Sequence, residues 1–297
     1  MSASCTIVSS AQHTPLTSQY LFNGLTINPA YAGSRDALAA NLTYRHQWVG
    51  FDGAPITQIL SVHAPMGRRK LGMGLLIYND RIGVSQETGL FSNYAYRLRF
   101  RGGKLSFGIG AGLTMLRSQW STLALQQAND QSFNYDTRSA IRPNFSTGAY
   151  YYNKTWFVGV SAPFLILHRY EPSQEGWNLS QSKGDLQPML TGGYVFNITR
   201  DAKLKPTTLL RYRMSSGVQA DISTNLILKD KVWLGASYRT GDAFVASLEV
   251  LPTPQWRLGY AYDLGLSKLL AHHRGSHEVM LQYEFGYRIR VKDPRYF

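Results

Sequence analysis

The sequence predicts an all-β protein, a transmembrane antiparallel outer-membrane β-barrel of about 14 strands with short periplasmic turns and long outer loops. First, alternating apolar and polar segments of roughly the 9 to 11 residues that a tilted membrane strand needs recur almost to the C-terminus. Second, the long connections between these segments all fall at one end. Third, the 297 residues include 27 Gly and 19 Tyr and are only 16% charged, a composition that favours strands and tight turns.

Residues 104–116 (KLSFGIGAGLTML) show the alternation most clearly. Because successive side chains of a strand point to opposite faces, this strand has one apolar face and one nearly bare face. We expect the apolar face to meet lipid and the glycines to face the lumen. The lipid-facing side chains would be Leu105, Phe107, Ile109, Leu113 and Met115.

About 14 segments with this alternation follow one another along the chain. They are residues 37–48, 60–64, 71–77, 93–100, 104–116, 145–151, 156–162, 190–196, 204–212, 218–228, 232–238, 244–250, 256–262 and 279–285. No segment has the run of about 18 apolar residues that a transmembrane helix requires. Aromatic residues near segment ends suit the interfacial girdles of a barrel. They are Trp48, Tyr78, Tyr94, Trp156, Trp233, Tyr238, Trp256 and Tyr283.

The connections favour a membrane barrel over a soluble β-sandwich, which also has alternating strands. Every second connection is a tight turn, as at 101–103 and 229–231. The others include long polar stretches at 117–142, 163–185 and 264–275. Since outer-membrane barrels have short periplasmic turns, this phase puts both termini on the short-turn side. The sandwich stays open as the alternative for any single strand.

A barrel of this size has an interior that is either water-filled or plugged. Charged residues at alternate positions of the predicted strands are expected to point into it. These lumen-facing candidates are Arg97, Arg99, Arg211, Arg213, Arg239, Arg257, Asp221, Asp263, Glu278 and Glu284. The simplest interpretation is a set of charge pairs that brace the wall, and solute selectivity is the alternative.

Four regions are predicted along the chain. Residues 1–11 resemble the end of a cleaved signal peptide, without its basic start and most of its apolar core, so the true start is expected upstream. Residues 12–35 form an entry segment, where Asn28 before Pro29 favours irregular backbone that could enter the lumen. Residues 36–286 form the barrel, and residues 287–297 form a basic periplasmic tail.

The tail and the short turns are basic, in a chain with a formal net charge of +13. Such a surface could dock an acidic protein, and a merely solvated rim is an equal alternative. No long basic run and no nucleic-acid-binding signature supports a nucleic-acid partner. The candidates for docking a periplasmic partner are Arg288, Arg290, Lys292, Arg295, Tyr296 and Phe297.

No pattern of catalytic or metal-binding residues emerges. His272, His273 and His277 lie in a predicted outer loop without a nearby cysteine, so exposed histidines explain them better than a metal site. The glycines of 108–112 lack the GxGxxG spacing and the following helix of a nucleotide loop. The single cysteine, Cys5, rules out an internal disulfide. We therefore predict a non-enzymatic protein without cofactor or metal.

Several phrases, in order, together resemble the PorP/SprF family. They are residues 18–23 (SQYLFN), 28–33 (NPAYAG), 47–55 (QWVGFDGAP), 79–83 (NDRIG), 238–244 (YRTGDAF), 259–263 (GYAYD) and 275–281 (GSHEVML), with a PRYF ending at 294–297. The resemblance covers nearly the whole chain from Ser18. It implies an outer-membrane component of the type IX secretion system of Gram-negative bacteria, with no catalytic residues.

The resemblance also implies partners. Besides the outer-membrane lipids that any such barrel contacts, these are a periplasmic ring lipoprotein complex, an OmpA-like peptidoglycan-binding lipoprotein and, for some relatives, a secreted gliding adhesin. Two other functions remain open from the residues alone. A passive outer-membrane channel or porin would show measurable conductance, and a surface adhesin or soluble β-rich binding protein would be recovered in the aqueous fraction.

Overall fold

In the computed structural model, the chain closes into an antiparallel β-barrel of 14 strands, which confirms the predicted fold class. The structure describes residues 17–67, 70–100, 102–122, 136–173, 176–182, 186–214, 217–266 and 274–285. Within these residues the helices are 3-10 turns, η1 (Gly24–Thr26), η2 (Pro29–Tyr31) and η3 (Trp120–Thr122). None of the helices in this part of the chain is long and apolar enough to span a bilayer.

The strands follow the predicted segments in order, except that two further strands lie within the stretch at 163–185, which the sequence predicts as a loop. The strands of the chain are β1 (Leu38–His46), β2 (Ile56–Met66), β3 (Leu71–Ile82), β4 (Ser85–Phe100), β5 (Gly103–Ser118), β6 (Thr137–Tyr152), β7 (Trp156–Ala162), β8 (Leu167–Ser173), β9 (Gly176–Ser182), β10 (Met189–Tyr194), β11 (Phe196–Asn197), β12 (Ala202–Arg213), β13 (Gly217–Leu228), β14 (Val232–Arg239), β15 (Ala243–Val250), β16 (Trp256–Gly265) and β17 (Ser276–Phe285).

The wall is continuous because β1 pairs with β17 and β10 pairs with both β7 and β12. β8 and β9 form a separate hairpin in the connection between β7 and β10. The short β11 continues the line of β10 beside β12. β5 and β6 are longer than predicted, at 16 residues each, so they include both ends of the stretch at 117–142 that the sequence predicts as a loop.

The outer face of the wall is apolar, whereas the inner face is small or polar. In β5, Phe107, Ile109 and Leu113 are 50%, 66% and 50% exposed. Ser106 and Thr114 occupy the alternate positions and are buried. Large apolar side chains repeat at exposed alternate positions in the other wall strands. This is the pattern of a wall in contact with lipid.

The two ends of the barrel differ in their connections. At the end named here the short-turn mouth, the connections include residues 67–70, 153–155, 198–201, 229–231 and 251–255. At the other end, the long-loop mouth, the chain leaves the wall after Ser118, Ala162 and Gly265 and returns to it at Thr137, Met189 and Ser276. In outer-membrane barrels the short turns face the periplasm and the long loops face the cell exterior.

Residues 17–36, named here the plug segment, run through the lumen from mouth to mouth. Near the long-loop mouth, the backbone N–H groups of Ser18 and Gln19 donate to Glu278 at the start of β17. At the short-turn mouth, Asp36 bonds to Arg97 and Lys104. The plug segment therefore leads into β1 at the short-turn mouth, the side on which the sequence predicts that the first strand begins. The sequence before β1 has no alternation, so it gave no sign of its direction.

Two aromatic residues assigned to the interfacial girdles point into the lumen instead. Tyr78 and Trp233 are only 1% and 2% exposed. Each lies at an inward alternate position of its strand, and the next residue after Trp233, Leu234, faces outward. Trp233 packs against Phe22 of the plug segment with ring centroids 5.3 Å apart, a partner that strand periodicity does not reveal.

Candidate functional site: the plugged lumen

The plug segment fits the wall because the wall carries glycine where the plug passes. A Cβ atom on Gly108 would lie 2.1 Å from the backbone nitrogen of Ala30. A Cβ atom on Gly72 would lie 2.0 Å from the carbonyl oxygen of Ala32. Neither position can accept a side chain unless the plug moves. The bare face of β5 is therefore a seat for the backbone of the plug.

Asn28 begins the turn of the plug that rests on this seat. Its Oδ1 accepts a hydrogen bond from the Ala30 N–H at 2.9 Å, and Pro29 supplies a helical φ at the first position of η2. Its Nδ2 donates to the carbonyl oxygens of Ala149 and Val160 at 3.0 and 3.4 Å. Asn28 thus caps the turn and joins it to β6 and β7.

Two hydroxyl groups of the wall bind carbonyl oxygens of the plug. Ser106 Oγ donates to the Ala30 carbonyl at 2.7 Å, and Ser161 Oγ donates to the Ile27 carbonyl at 2.6 Å. An irregular segment cannot pair its own backbone as a strand does, so these groups would otherwise be buried without partners. The polar inner face of the wall satisfies them.

The lumen beside β2–β7, named here the aromatic half, is filled by apolar and aromatic side chains. The ring of Tyr31 lies 5.4 Å from that of His63 and 5.6 Å from that of Tyr150. Near the long-loop mouth, Phe164 packs against Phe91 with centroids 5.4 Å apart. The buried members of this half are Leu25, Ala30, Tyr31, Ala32, Ile59, Leu76, Tyr78, Phe91, Ala95, Tyr150, Tyr152, Phe157 and Phe164.

The lumen beside β1 and β12–β17, named here the ionic half, is built from buried ion pairs. Arg45 lies 2.8 Å from Asp263 Oδ2 and 3.1 Å from Glu278 Oε2. Glu278 also accepts the N–H groups of Ser18 and Gln19 at 2.7 and 2.9 Å. One carboxylate therefore binds the wall and the plug together.

The ion pairs continue along the wall from this point. Arg239 lies 3.1 Å from both Asp221 and Asp242, and Arg211 lies 2.7 Å from the same Asp221. Arg239 also reaches Asp263 at 3.5 Å, which links this group to Arg45. The network is shared by strands β1, β12, β13, β14, β16 and β17, so it braces nearly half of the wall.

Towards the short-turn mouth the plug is held by a salt bridge of its own. Arg35 lies 3.3 Å from Glu284 and donates to the Tyr31 hydroxyl at 3.1 Å. Its pairing partner comes from β17, whereas Tyr31 belongs to the aromatic half. Arg35 therefore connects the two halves through the plug.

A second contact combines aromatic and cationic groups. The Arg257 guanidinium lies 4.9 Å from the ring centroid of Phe22 and 4.7 Å from that of Trp233. The Lys205 ammonium lies 5.4 Å from the Trp233 centroid. Cations over aromatic faces attract the negative ring face. Arg257 is also paired with Glu249 at 3.2 Å.

Most of the predicted lumen-facing residues are brought together in this interior. Those that are buried there are Arg97, Arg211, Arg239, Arg257, Asp221, Asp263, Glu278 and Glu284. Arg99 is exposed and Arg213 is half-buried. Both lie at inward alternate positions but near the ends of β4 and β12, where the lumen opens.

Among the residues that the structure describes, sequence reasoning missed four buried charged residues of the lumen: Arg35, Arg45, Lys205 and Glu249. Three of them carried a usable signal, because Arg45, Lys205 and Glu249 alternate with outward residues in their strands. Arg35 had no such signal, since the plug segment has no period from which an inward direction could be read.

Some predicted residues lie outside the described part of the chain. These are the docking candidates Arg288, Arg290, Lys292, Arg295, Tyr296 and Phe297, together with His272 and His273. His277 is described, and its Nδ1 shares a hydrogen bond of 2.7 Å with the Tyr260 hydroxyl. Among the residues that the structure describes, no group of three or more His, Cys, Asp or Glu side chains could hold a metal ion.

The described part of the short-turn mouth is rich in exposed cations. They are Lys70, Arg99, Lys154, Arg200, Lys229 and Lys231. Asp230 lies among them and pairs with Lys203 at 2.8 Å. Clustered positive charge attracts anionic surfaces.

Solved structures with a similar fold are outer-membrane barrels. The CymD monoaromatic hydrocarbon channel matches with a TM-score of 0.51 and 10% identity, over 91% of this chain and 93% of CymD. A Pseudomonas aeruginosa FadL homologue matches with a TM-score of 0.49 and 10% identity, over 90% of this chain and 94% of its own. Acinetobacter baumannii Omp33 matches with a TM-score of 0.48 and 10% identity, over 84% of this chain and 99% of Omp33. At such identity the likeness concerns the fold alone. Among curated proteins, no sequence matches this chain.

The family model of the type IX secretion system membrane proteins PorP/SprF matches residues 9–283. The matched region includes the whole plug segment and nearly all of the wall. It contains the NPAYAG stretch at 28–33, the part of the plug that is seated on Gly108 and Gly72. The resemblance seen in the sequence is confirmed, and the chain belongs to the PorP/SprF family of type IX secretion system membrane proteins.

Proposed function

We propose that this protein is a non-conducting, non-enzymatic scaffold of the type IX secretion machinery in the outer membrane, and that its short-turn mouth docks periplasmic components. Family membership supports the place in the secretion machinery. The observation that carries the scaffold role is a lumen filled by the plug segment from mouth to mouth. Because the lumen is filled, the surfaces of the barrel that can bind other molecules are its two mouths and its outer wall.

A passive channel is the alternative function, and the plug argues against it. Fifteen of the twenty residues of the plug segment are buried and the other five are half-buried, and the segment is bonded to both halves of the lumen. The cavity between Tyr20, Tyr31 and Lys205 measures only ≈ 20 Å³. That cavity has room for about one water molecule.

The proposed periplasmic partners are the ring lipoprotein complex and the OmpA-like peptidoglycan-binding lipoprotein. The exposed cations of the short-turn mouth support a partner with an acidic surface. A gliding adhesin is the proposed class of cargo, which rests on the family alone.

The function is tested by quantitative mass spectrometry of surface and secreted proteins in a strain lacking this chain, compared with its parent. We expect type IX cargo to leave the surface and to accumulate in the periplasm. Loss of all cargo would indicate a core part, and loss of one adhesin would indicate a dedicated helper. Unchanged export with reduced uptake of small solutes would replace this proposal by the channel.

Docking is tested separately by charge reversal. The double variant Lys229→Glu and Lys231→Glu places acid on the short-turn mouth. The matched control, Arg81→Glu and Arg274→Glu, reverses two exposed charges at the long-loop mouth. We expect the first variant alone to lose co-purification of periplasmic lipoproteins. Equal retention by both variants would show that this mouth is only a solvated rim.

A further inference from the structure

β10 joins the wall through two short ladders. β10 pairs with β7 over 189–194 and with β12 only over 189–193. Pairing with β12 stops at Gly193 opposite Thr207 and resumes at Phe196 opposite Leu204. Pro206, which has no backbone N–H to give to a ladder, lies in the interruption.

An open groove of ≈ 430 Å³ marks the lipid-facing side of this place. Its outward side chains belong to three neighbouring strands and are mostly apolar. They are Val158, Leu190, Tyr194, Pro206, Thr208 and Leu210, arranged around Gly192. Its volume lies in the range of small-molecule clefts, and the groove is open on the side that faces lipid.

Gly192 creates the groove, and neither backbone conformation nor close packing requires a glycine there. A Cβ atom on Gly192 would meet only the Phe157 carbonyl oxygen, at an ordinary distance of 3.6 Å. By contrast, a Cβ atom on the adjacent Gly193 would approach Phe157 and Thr207 to 2.5 and 2.6 Å. Gly193 is needed by the fold, whereas Gly192 leaves a space that a side chain would fill.

The position of the groove indicates what fills it. Towards the short-turn mouth it ends at Tyr194, which lies opposite Trp156 in the ladder. Beyond this aromatic pair lie the exposed turn residues Lys154 and Arg200. Apolar surface, interfacial aromatic residues and then cations follow in the order in which a phospholipid presents its chains, its interface and its phosphate.

We propose that this groove binds an acyl chain of a phospholipid of the periplasmic leaflet, with the phosphate at the level of Lys154 and Arg200. A strand from a partner protein is a poorer occupant, because β7 and β12 already use their edges here to pair with β10. The choice of leaflet rests on the orientation given in the proposed function. The bound lipid would complete the wall where the pairing with β12 is interrupted.

The test uses the full-length protein purified from membranes in mild detergent, with phosphatidylglycerol as probe and native mass spectrometry as readout. Gly192→Leu fills the groove. Ala246→Leu is the matched control, since Ala246 is also an exposed outward residue, on β15. We expect one phospholipid to stay bound to the parent and to Ala246→Leu, and its affinity to fall about tenfold or more in Gly192→Leu.

Two further variants keep the result decisive. Thr208→Leu fills the groove from β12 if Gly192→Leu does not fold, and Lys154→Gln with Arg200→Gln removes the phosphate contacts without touching the groove. Both should weaken phosphatidylglycerol binding.

Several results would overturn the proposal: no lipid on the parent protein, equal loss in Ala246→Leu, retention of lipid A in place of phospholipid, or a bound protein displaced by Gly192→Leu. Because binding is measured on isolated protein, the outcome is independent of any export defect.

Discussion

The aromatic half and the ionic half of the lumen hold the same segment by different physics. Beside β2–β7, glycines let the backbone of the plug approach the wall, and apolar rings fill what remains. Beside β1 and β12–β17, carboxylates and guanidinium groups bind the plug and each other. The first contact depends on shape and fails when volume is added, whereas the second depends on charge and fails when a partner is removed.

The largest expected effect comes from the ionic half. Glu278→Ala removes the acceptor of the Ser18 and Gln19 N–H groups and leaves Arg45 with one partner fewer. We expect a loss of about 3–5 kcal/mol in the free energy of unfolding, as is usual when a buried pair is broken. The measurement is thermal unfolding in detergent, followed by heat-modifiable mobility on gels.

Glu278→Gln is the control for this variant, because its carbonyl oxygen can still accept from the plug while its charge is lost. We expect its free energy of unfolding to lie between that of Glu278→Ala and that of the parent protein. A Glu278→Ala protein as stable as the parent would mean that the plug is held by the aromatic half alone.

The next effect comes from added volume in the aromatic half. Gly108→Leu places a side chain where the backbone of Ala30 lies, so the plug must move. Overfilling a well-packed interior costs about 1–3 kcal/mol, and here it should also open a path along the lumen. Planar-bilayer recordings should show conductance that the parent lacks. Ala111→Leu, which places the same side chain on the outer face of β5, should stay closed and stable.

A smaller effect is expected from the polar contacts of the seat. Asn28→Ala removes a cap and the bonds to Ala149 and Val160, which we expect to lower the free energy of unfolding by about 1–2 kcal/mol. Hydrogen exchange should speed up at residues 28–33 and not at Ser18. Faster exchange at both places would show that the two halves hold the plug as a single unit.

The smallest effect should come from an exposed pair. Asp230→Asn breaks the contact with Lys203 at the short-turn mouth, where the carboxylate is 37% exposed. Such a pair contributes about 0–1 kcal/mol to the free energy of unfolding, and added salt should reduce this contribution further. If Asp230→Asn lowered the free energy of unfolding as much as Glu278→Ala does in the same assay, burial would not explain the strength of the ion pairs in the ionic half.

The wall was more predictable than its contents, for a physical reason. A strand repeats every two residues, so the outward direction of Phe107 and Ile109 and the inward direction of Asp221 and Glu278 could be read from local sequence. The plug has no repeat, and its contacts join residues such as Ser18 and Glu278 that lie far apart in the chain. Only the closed register of β1 with β17 brings these residues together.

The glycines of the wall also show that strand periodicity does not predict contacts with the plug. Those of β5 were expected to face the lumen, and they do, but nothing in the strand itself shows that Ala30 needs the space beside Gly108. Likewise Trp233 looks like a girdle residue until Phe22 of the plug is seen beside it, and Tyr78 until Phe91 and Phe164 are seen beside it in the lumen. Periodicity gives the direction of a side chain, and the partner must come from tertiary structure.

The route of residues 17–36 has a consequence for biogenesis. This segment is synthesised before any strand, and it lies inside a ring that is completed only when β17, close to the end of the chain, pairs with β1. During membrane insertion, the hairpins must therefore pair around the plug segment while it is already present, or the plug segment must be threaded through the finished barrel. In the first case, residues 17–36 would be in place while the strands pair around them, and their size would set how many strands the closed barrel needs.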